Sequence, residues 1–218
     1  MWWVKPTKAD VYGNRFRQRR VRAFLAMCDE VLATKSTCRV LDLGGAAEYW
    51  LGLEPLWKDR PLHFTLVNLY PEKTPDARFT ARIGDACALS DIADGSFDIV
   101  HSNSVIEHVG SWHNKARMAA EIRRIAPRYY VQTPNYWFPV EPHLRTPLIH
   151  WLPRPWQRSL VMRGAHGFFP KAETLDEADR ILSDSSLLDA AEMAALFPDA
   201  RIERECFARL VKSLIAIR

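Results

Sequence analysis

The chain lacks several features that would assign it to a simple class. No apolar run among its 218 residues reaches the roughly 18 positions that a membrane-spanning helix needs. The first six residues, MWWVKP, do not have the charged start and apolar centre of a secretory signal peptide. None of the four cysteines stands in a CxxC pair, so neither a zinc motif nor a compact disulfide framework is indicated. We therefore expect a cytoplasmic protein with reduced thiols and without a metal site.

Charge and length set further bounds. The formal net charge of +4 is modest and does not by itself favour a nucleic-acid partner. A chain of this length that is 48% hydrophobic can bury one good core. We predict a single domain over residues 1–218, with an N-terminal helical extension over 1–36 and a cap inserted over 134–172.

Apolar periodicity predicts strands that alternate with helices. The predicted strands span residues 39–43, 63–69, 78–83, 97–102, 129–133, 200–207 and 209–217. The predicted helices span residues 14–32, 46–57, 113–126 and 187–197, with a short one near residues 147–152 in the cap. Alternation of this kind indicates a doubly wound α/β fold with helices on both faces of a mostly parallel sheet. The last two strands follow each other closely and must pair antiparallel, which makes a C-terminal hairpin in a seven-stranded sheet.

The first predicted strand ends in an acid and a pair of glycines, Asp42, Gly44 and Gly45. Such glycines let the backbone turn sharply and come close to a ligand at the carboxyl edge of the sheet. The GxGxxG pattern of dinucleotide-dependent oxidoreductases is absent, because Ala46, Ala47 and Glu48 follow the second glycine. The turn therefore favours a nucleotide-type site other than a dinucleotide one.

Later strand ends carry matching polar residues in the same order along the chain. Asn68 ends the second strand, and Asp85 and Ala86 follow the third. The segment DGSFDIV, residues 94–100, leads into the fourth strand. Together with the acid and the glycine turn, these segments resemble the class I S-adenosylmethionine (SAM)-dependent methyltransferases that act on small molecules.

The resemblance implies a cofactor and a set of contacts. SAM would lie over the carboxyl edge of the sheet, with its ribose at Asn68 and its adenine at Asp85 and Ala86. The methionine tail would lie beside Ser102 and Asn103, and the turn of Asp42, Gly44 and Gly45 would approach the ligand closely. The family usually has an acid at the position of Asn68, and an amide there lacks the charge that strengthens the ribose contact.

Two later segments offer groups for chemistry. The VIEHV segment after the fourth strand contains His108. The predicted cap holds seven of the fourteen prolines and places Glu141 and His143 two residues apart, on one side of an extended segment. Either imidazole could act as the general base, with Glu141 orienting His143, or these residues could only hold the loop in place. Basic residues outnumber acids in the cap, which favours an acidic substrate or an aromatic one with an anionic group.

These patterns predict methyl transfer from SAM to an oxygen, nitrogen or carbon nucleophile of a small, anionic or aromatic molecule. The (D/N/S)PP(Y/F) tetrad of nucleic-acid amino-methyltransferases is absent after the fourth strand, so a nucleic-acid substrate is not expected. A catalytically inactive methyltransferase-like domain that binds SAM or a partner is the alternative. The sequence leaves the oligomeric state open.

Overall fold

A computed structural model describes residues 13–218, so the first twelve residues of the predicted N-terminal extension lie outside the described part. Seven strands form one sheet in the order β3-β2-β1-β4-β5-β9-β8. The strands are β1 Cys38–Leu43, β2 Leu62–Asn68, β3 Phe79–Ile83, β4 Ile99–Asn103, β5 Arg128–Pro134, β8 Arg201–Phe207 and β9 Leu210–Ile217. A separate two-stranded ribbon pairs β6 Val140–Glu141 with β7 Thr146–Pro147.

Strands β1 to β5 run parallel, whereas β9 pairs antiparallel with both β5 and β8. The predicted parallel sheet with a C-terminal antiparallel hairpin is confirmed. The helices are α1 Arg15–Leu32, α2 Ala47–Gly52, α3 Trp112–Ile125, α4 Arg154–Arg163, α5 Leu175–Ser183 and α6 Ala190–Leu196. In the described part of the chain, no helix is both long and apolar enough to cross a bilayer.

Apolar residues of alternating position on the strands form two cores, one on each face of the sheet. On one face, α1 and α2 cover Val40 and Leu66, and on the other, α3 and α6 cover Leu41 and Val67. Helix α1 begins at a regular N-cap, where the Asn14 side chain accepts hydrogen bonds from the backbone N–H groups of the first turn. The sheet is thus doubly wound, as predicted.

Strand register decides which side chains meet at the carboxyl edge. In the parallel pairing of β1 with β4, Asp42 lies opposite His101 and Leu43 lies opposite Ser102. On the other side of β1, Leu43 lies opposite Val67, so β2 ends at Asn68 next to the glycine turn. The carboxyl ends of three neighbouring strands therefore surround the turn after β1.

The cap contains more regular structure than the sequence patterns indicate. The helix predicted near residues 147–152 is a single 3-10 turn, Ile149–Trp151, and α4 and α5 were not predicted. Both helices are short, and they bury their apolar sides in a small separate core with Leu144 and Ile149. Since this core includes α5, the group of elements that pack together continues beyond residue 172 to Ser183.

Charge in the cap is more balanced than the sequence count over residues 134–172 suggests. Asp179 on α5 accepts two hydrogen bonds from the guanidinium group of Arg158, at 2.8 and 2.7 Å. The same carboxylate lies 3.7 Å from Nε of Arg154. Asp179 lies outside the predicted cap segment, and only the packing of α4 on α5 brings it to these two arginines.

Candidate active site

The turn after β1 can hold only glycine at two consecutive positions. Gly44 has φ +71°, and a Cβ atom there would lie 2.5 Å from Cγ2 of Val105. A Cβ atom on Gly45 would lie 1.7 Å from Oδ2 of Asp42, which is far inside van der Waals contact. The turn, which lies at the carboxyl edge of the sheet, therefore packs tightly against Val105 and Asp42.

Asp42 lies beneath this turn and is 1% exposed. Its Oδ2 accepts a hydrogen bond from Nε1 of Trp50 on α2 at 2.7 Å, and its Oδ1 accepts one from Nδ1 of His101 on β4, also at 2.7 Å. Both carboxylate oxygens are thus bonded within the protein. Any effect of Asp42 on a bound molecule would pass through the backbone of the turn.

The predicted ribose and adenine residues lie at the ends of β2 and β3. Nδ2 of the half-buried Asn68 donates a hydrogen bond to the carbonyl oxygen of Gly45 at 2.6 Å. This bond ties the end of β2 to the glycine turn. Asp85 is exposed, its Oδ1 accepts a hydrogen bond from the backbone N–H of Cys87, and Ala86 beside it is half-buried.

The predicted contacts of the methionine tail lie at the end of β4. Ser102 is fully buried, and its hydroxyl lies 3.4 Å from the carbonyl oxygen of Leu43. Oδ1 of the half-buried Asn103 accepts a hydrogen bond from Nη1 of Arg20 at 3.0 Å. Arg20 comes from α1, which brings the N-terminal helix to this edge of the sheet.

The residues predicted for chemistry come together, although they lie on different segments. Nδ1 of His143 donates a hydrogen bond to Oε1 of Glu141 at 2.7 Å, because a carboxylate can only accept. The rings of His143 and His108 meet edge to face, with their centroids 4.7 Å apart. The first two belong to the cap, whereas His108 lies in the 3-10 turn Ile106–His108 after β4.

Buried charge surrounds this group. Burial by itself would lower the pKa of His108, but Asp184 and Glu107 beside it outweigh that effect, and the net direction is upward. Burial would raise the pKa of Glu141, but the hydrogen bonds from His143 and from the backbone N–H of Leu144 hold it below its usual range. Two imidazoles and three carboxylates therefore share one site between the cap and the sheet.

A cavity of about 180 Å³ adjoins the Glu141–His143 pair. Its polar lining includes Tyr136, His150 and Ser185, and its apolar lining includes Leu144 and Phe169. Arg154 also lines the cavity, but its guanidinium group is bonded to the carbonyl oxygen of Leu182 and to the hydroxyl of Ser183. The cap therefore borders a small, partly open space of mixed polarity next to His143.

Two members of the site were not predicted from the sequence. His101 reaches Asp42 only through the parallel register of β1 and β4, and no local pattern signals that pairing. The backbone carbonyl of Asp184 accepts a hydrogen bond from Nδ1 of His108 at 2.8 Å across a separation of 76 residues. In contrast, Glu107 stands beside His108 in the VIEHV segment, so its place near the crevice follows from the sequence.

A comparison with protein-family models matches residues 14–178 to the methyltransferase domain. The match covers most of the chain. It includes the glycine turn, the ends of β2, β3 and β4, and His143 of the cap. The chain belongs to the methyltransferase-domain family. No curated protein matches this methyltransferase-family chain in sequence.

Solved structures with the same fold share little sequence with it. The putative methyltransferase of Haloferax volcanii, in complex with the Trm112 methyltransferase activator, has a TM-score of 0.52 at 16% identity, with 99% of this chain and 98% of that chain covered. Phosphoethanolamine N-methyltransferase 2 of Haemonchus contortus, in complex with SAM, has a TM-score of 0.54 at 16% identity. That match covers 90% of this chain and 42% of the Haemonchus protein.

A structure from Rhodobacter sphaeroides, described as a putative Zn-dependent alcohol dehydrogenase, also matches. Its TM-score is 0.51 at 14% identity, with 83% of each chain covered. At such identities these likenesses concern the fold alone. They agree with the seven-stranded sheet of the methyltransferase family.

Proposed function

We propose that this methyltransferase-family chain transfers a methyl group from SAM to a nucleophilic oxygen, nitrogen or carbon of a small molecule. The observation that carries the proposal is the glycine turn after β1. Asp42 fills the space below Gly45, and Asn68 holds the carbonyl oxygen of Gly45 from the side. The turn is thereby fixed at the carboxyl edge of a parallel sheet, where open α/β folds bind nucleotide-type ligands.

SAM would lie across the ends of β1, β2, β3 and β4. We assign its ribose to Asn68, whose Oδ1 is the acceptor of that amide, and its adenine to Asp85 and Ala86. Its methionine tail would lie against Ser102 and Asn103. Asp42, Gly44 and Gly45 would shape the backbone that the cofactor contacts, and Asp42 would act as a positioning residue, since its oxygens already bond Trp50 and His101.

The acceptor would bind where the cap meets the end of β4. There we propose His143 and His108 as the catalytic residues and Glu141 as the residue that positions His143; Glu141 and His143 both line the cavity under the cap. Methyl transfer is an in-line displacement in which the nucleophile attacks the methyl carbon while the carbon–sulfur bond breaks and its electron pair stays on sulfur. The protein contributes alignment and exclusion of water, which a proline-rich cap supplies.

The cavity indicates the kind of acceptor. The space of about 180 Å³ is smaller than a typical ligand pocket, which favours a small molecule or one end of a larger one. Tyr136 and Phe169 in its lining favour an aromatic or apolar body. An anionic acceptor has less support than the sequence suggests, because the Asp179 carboxylate lies against both Arg154 and Arg158 and offsets one of their two positive charges.

We also propose a compartment for the reaction. All four cysteines are unpaired, which supports the cytoplasm as the place of the reaction. The alternative function is that of a domain that binds SAM without transferring its methyl group. A test for methyl transfer distinguishes this alternative from the proposed enzyme.

The test has a binding stage and a transfer stage. Calorimetry with the purified chain should detect SAM and its demethylated product, S-adenosylhomocysteine. Incubation with methyl-labelled SAM and fractionated small-molecule extract should then label at least one metabolite. Binding of neither SAM nor its product would overturn the cofactor assignment. Binding without any labelled metabolite would favour the inactive alternative.

A further inference from the structure

Three side chains bring potential metal ligands together where the cap meets β4. One carboxylate oxygen of Glu107 and one ring nitrogen from each of His108 and His143 all lie within 4.8 Å of one another. Glu107 is 0% exposed and His143 is 5% exposed. Two imidazoles and one carboxylate are a common ligand set for zinc and related divalent ions.

The Glu107 carboxylate is held on one side only. Its Oε2 accepts a hydrogen bond from the hydroxyl of Thr133 at 2.9 Å. Its Oε1 is buried and accepts no hydrogen bond from any group in residues 13–218. A carboxylate oxygen left in this state costs free energy, and a cation at that oxygen removes the cost. The Oε1 side of the carboxylate is therefore the one expected to face a ligand.

Hydrogen bonds fix the protonation pattern of both rings. Nδ1 of His143 is bonded to a carboxylate oxygen of Glu141, and Nδ1 of His108 to the backbone carbonyl oxygen of Asp184. Neither of these oxygens can donate, so each Nδ1 carries the proton. In the neutral rings Nε2 then bears the lone pair that binds a metal. A metal-binding histidine typically has such an acceptor at its other ring nitrogen.

We propose that Glu107, His108 and His143 bind one divalent transition-metal ion of the zinc type. The ligand atoms would be Oε1 of Glu107 and Nε2 of each histidine, with Glu141 and the Asp184 carbonyl as outer partners. Zinc–nitrogen bonds are about 2.0–2.1 Å long, so the three side chains would close in slightly around the ion. A fourth position would stay open to the acceptor.

The consequence for catalysis rests on the proposed function. A hydroxyl of the acceptor that binds the ion loses its proton to water more readily. The deprotonated atom then attacks the methyl carbon of SAM, the carbon–sulfur bond breaks, and S-adenosylhomocysteine leaves with the electron pair on sulfur. In this arrangement the ion activates the nucleophile, and the imidazoles hold the ion.

Metal binding is tested directly with Zn²⁺ on tag-free, chelator-treated protein. Calorimetry should show one Zn²⁺ per chain, and His143→Gln and Glu107→Gln should each weaken binding by about 10²-fold or more. Glu141→Gln should weaken it by roughly 10–100-fold, as loss of an outer partner does. The matched control is His113→Gln, because His113 is an exposed histidine on α3.

S-adenosylhomocysteine binding, measured with chelator present, separates this inference from the proposed function. Each variant should keep that affinity, which also shows that it folds. Absence of Zn²⁺ binding, or binding that His143→Gln leaves unchanged, would overturn the metal site while the cofactor assignment stands. Once an acceptor is known, full turnover by the metal-free enzyme would overturn the role of the ion in activation.

Discussion

Gly45 and Asp42 are fitted to each other: the space that a Cβ atom would need on Gly45 is filled by Oδ2 of Asp42, 1.7 Å away. The carboxylate cannot move aside without losing its hydrogen bonds to Trp50 and His101. The acid and the glycine of the motif thus depend on each other through packing. Changes at either one should reach the cofactor through the shape of the turn.

The first prediction concerns the glycine itself. Gly45→Ala should force Asp42 or the turn to shift, with a cost of about 1–3 kcal/mol as in other overpacked sites. We expect a lower melting temperature and an affinity for S-adenosylhomocysteine that falls about 10-fold or more. Gly164→Ala is the matched control, since a Cβ atom there meets nothing within 4 Å and its backbone is extended. Equal behaviour of the two variants would contradict the proposed packing of the turn.

Removal of the carboxylate should also destabilise the fold. Asp42→Ala leaves the buried Nε1 of Trp50 and Nδ1 of His101 without their acceptor, and each loss costs about 1–3 kcal/mol. Denaturant unfolding should therefore show a total stability loss of about 2–6 kcal/mol. S-adenosylhomocysteine affinity should fall in the same variant. Normal cofactor affinity in folded Asp42→Ala protein would mean that the turn keeps its shape without the acid.

Asn68 gives a prediction that runs against the usual preference of the family for an acid. Nδ2 of Asn68 donates to the carbonyl oxygen of Gly45, and Asn68→Asp would replace that donor with a negatively charged acceptor. We expect Asn68→Asp to weaken S-adenosylhomocysteine binding, because repulsion at Gly45 outweighs any gain at the ribose. Calorimetry on Asn68→Asp and Asn68→Ala checks this. Tighter binding by the aspartate variant would show that the ribose contact dominates.

The cap residues should affect turnover and leave cofactor affinity alone. His143→Ala should lower turnover by roughly 10²-fold or more once an acceptor is identified, since it removes a group that touches the acceptor or its ion. Glu141→Gln should do less, because it disturbs only the orientation of the ring. Labelled-methyl assays measure both effects. Wild-type turnover in His143→Ala would mean that Glu141 and His143 have only a structural role.

Protonation of Asp98, which lies at the opposite edge of the sheet, should make the stability of the fold depend on pH. Burial would raise its pKa, but hydrogen bonds from Lys35 and from the backbone N–H of Arg39 hold the pKa below its usual range. Because the folded-state pKa is depressed, its contribution is complete above about pH 5 and is lost as the pH falls through the unfolded and then the folded value. Denaturant unfolding across pH 2–6 should show this loss, and Asp98→Asn should flatten that part of the profile.

The sequence by itself determined the architecture and the order of the motifs. Strand patterns, helix patterns and the hairpin at the end of the chain are local properties, because side-chain period and turn chemistry are set by neighbouring residues. For the same reason the glycine turn after Asp42 and the polar residue at the end of β2 could be located from the sequence alone. The short helices α4 and α5 could not, since their apolar sides are covered only when they pack on each other and on Leu144 and Ile149.

Tertiary structure alone decided what the polar groups do. The register of β1 and β4 placed Asp42 beside His101, and the packing of α5 on α4 placed Asp179 beside Arg154 and Arg158. The meeting of Glu107, His108 and His143 depends on the cap folding back over β4. Such contacts join residues tens of positions apart. They depend on how the folded chain packs, so the spacing of residues in the sequence does not reveal them.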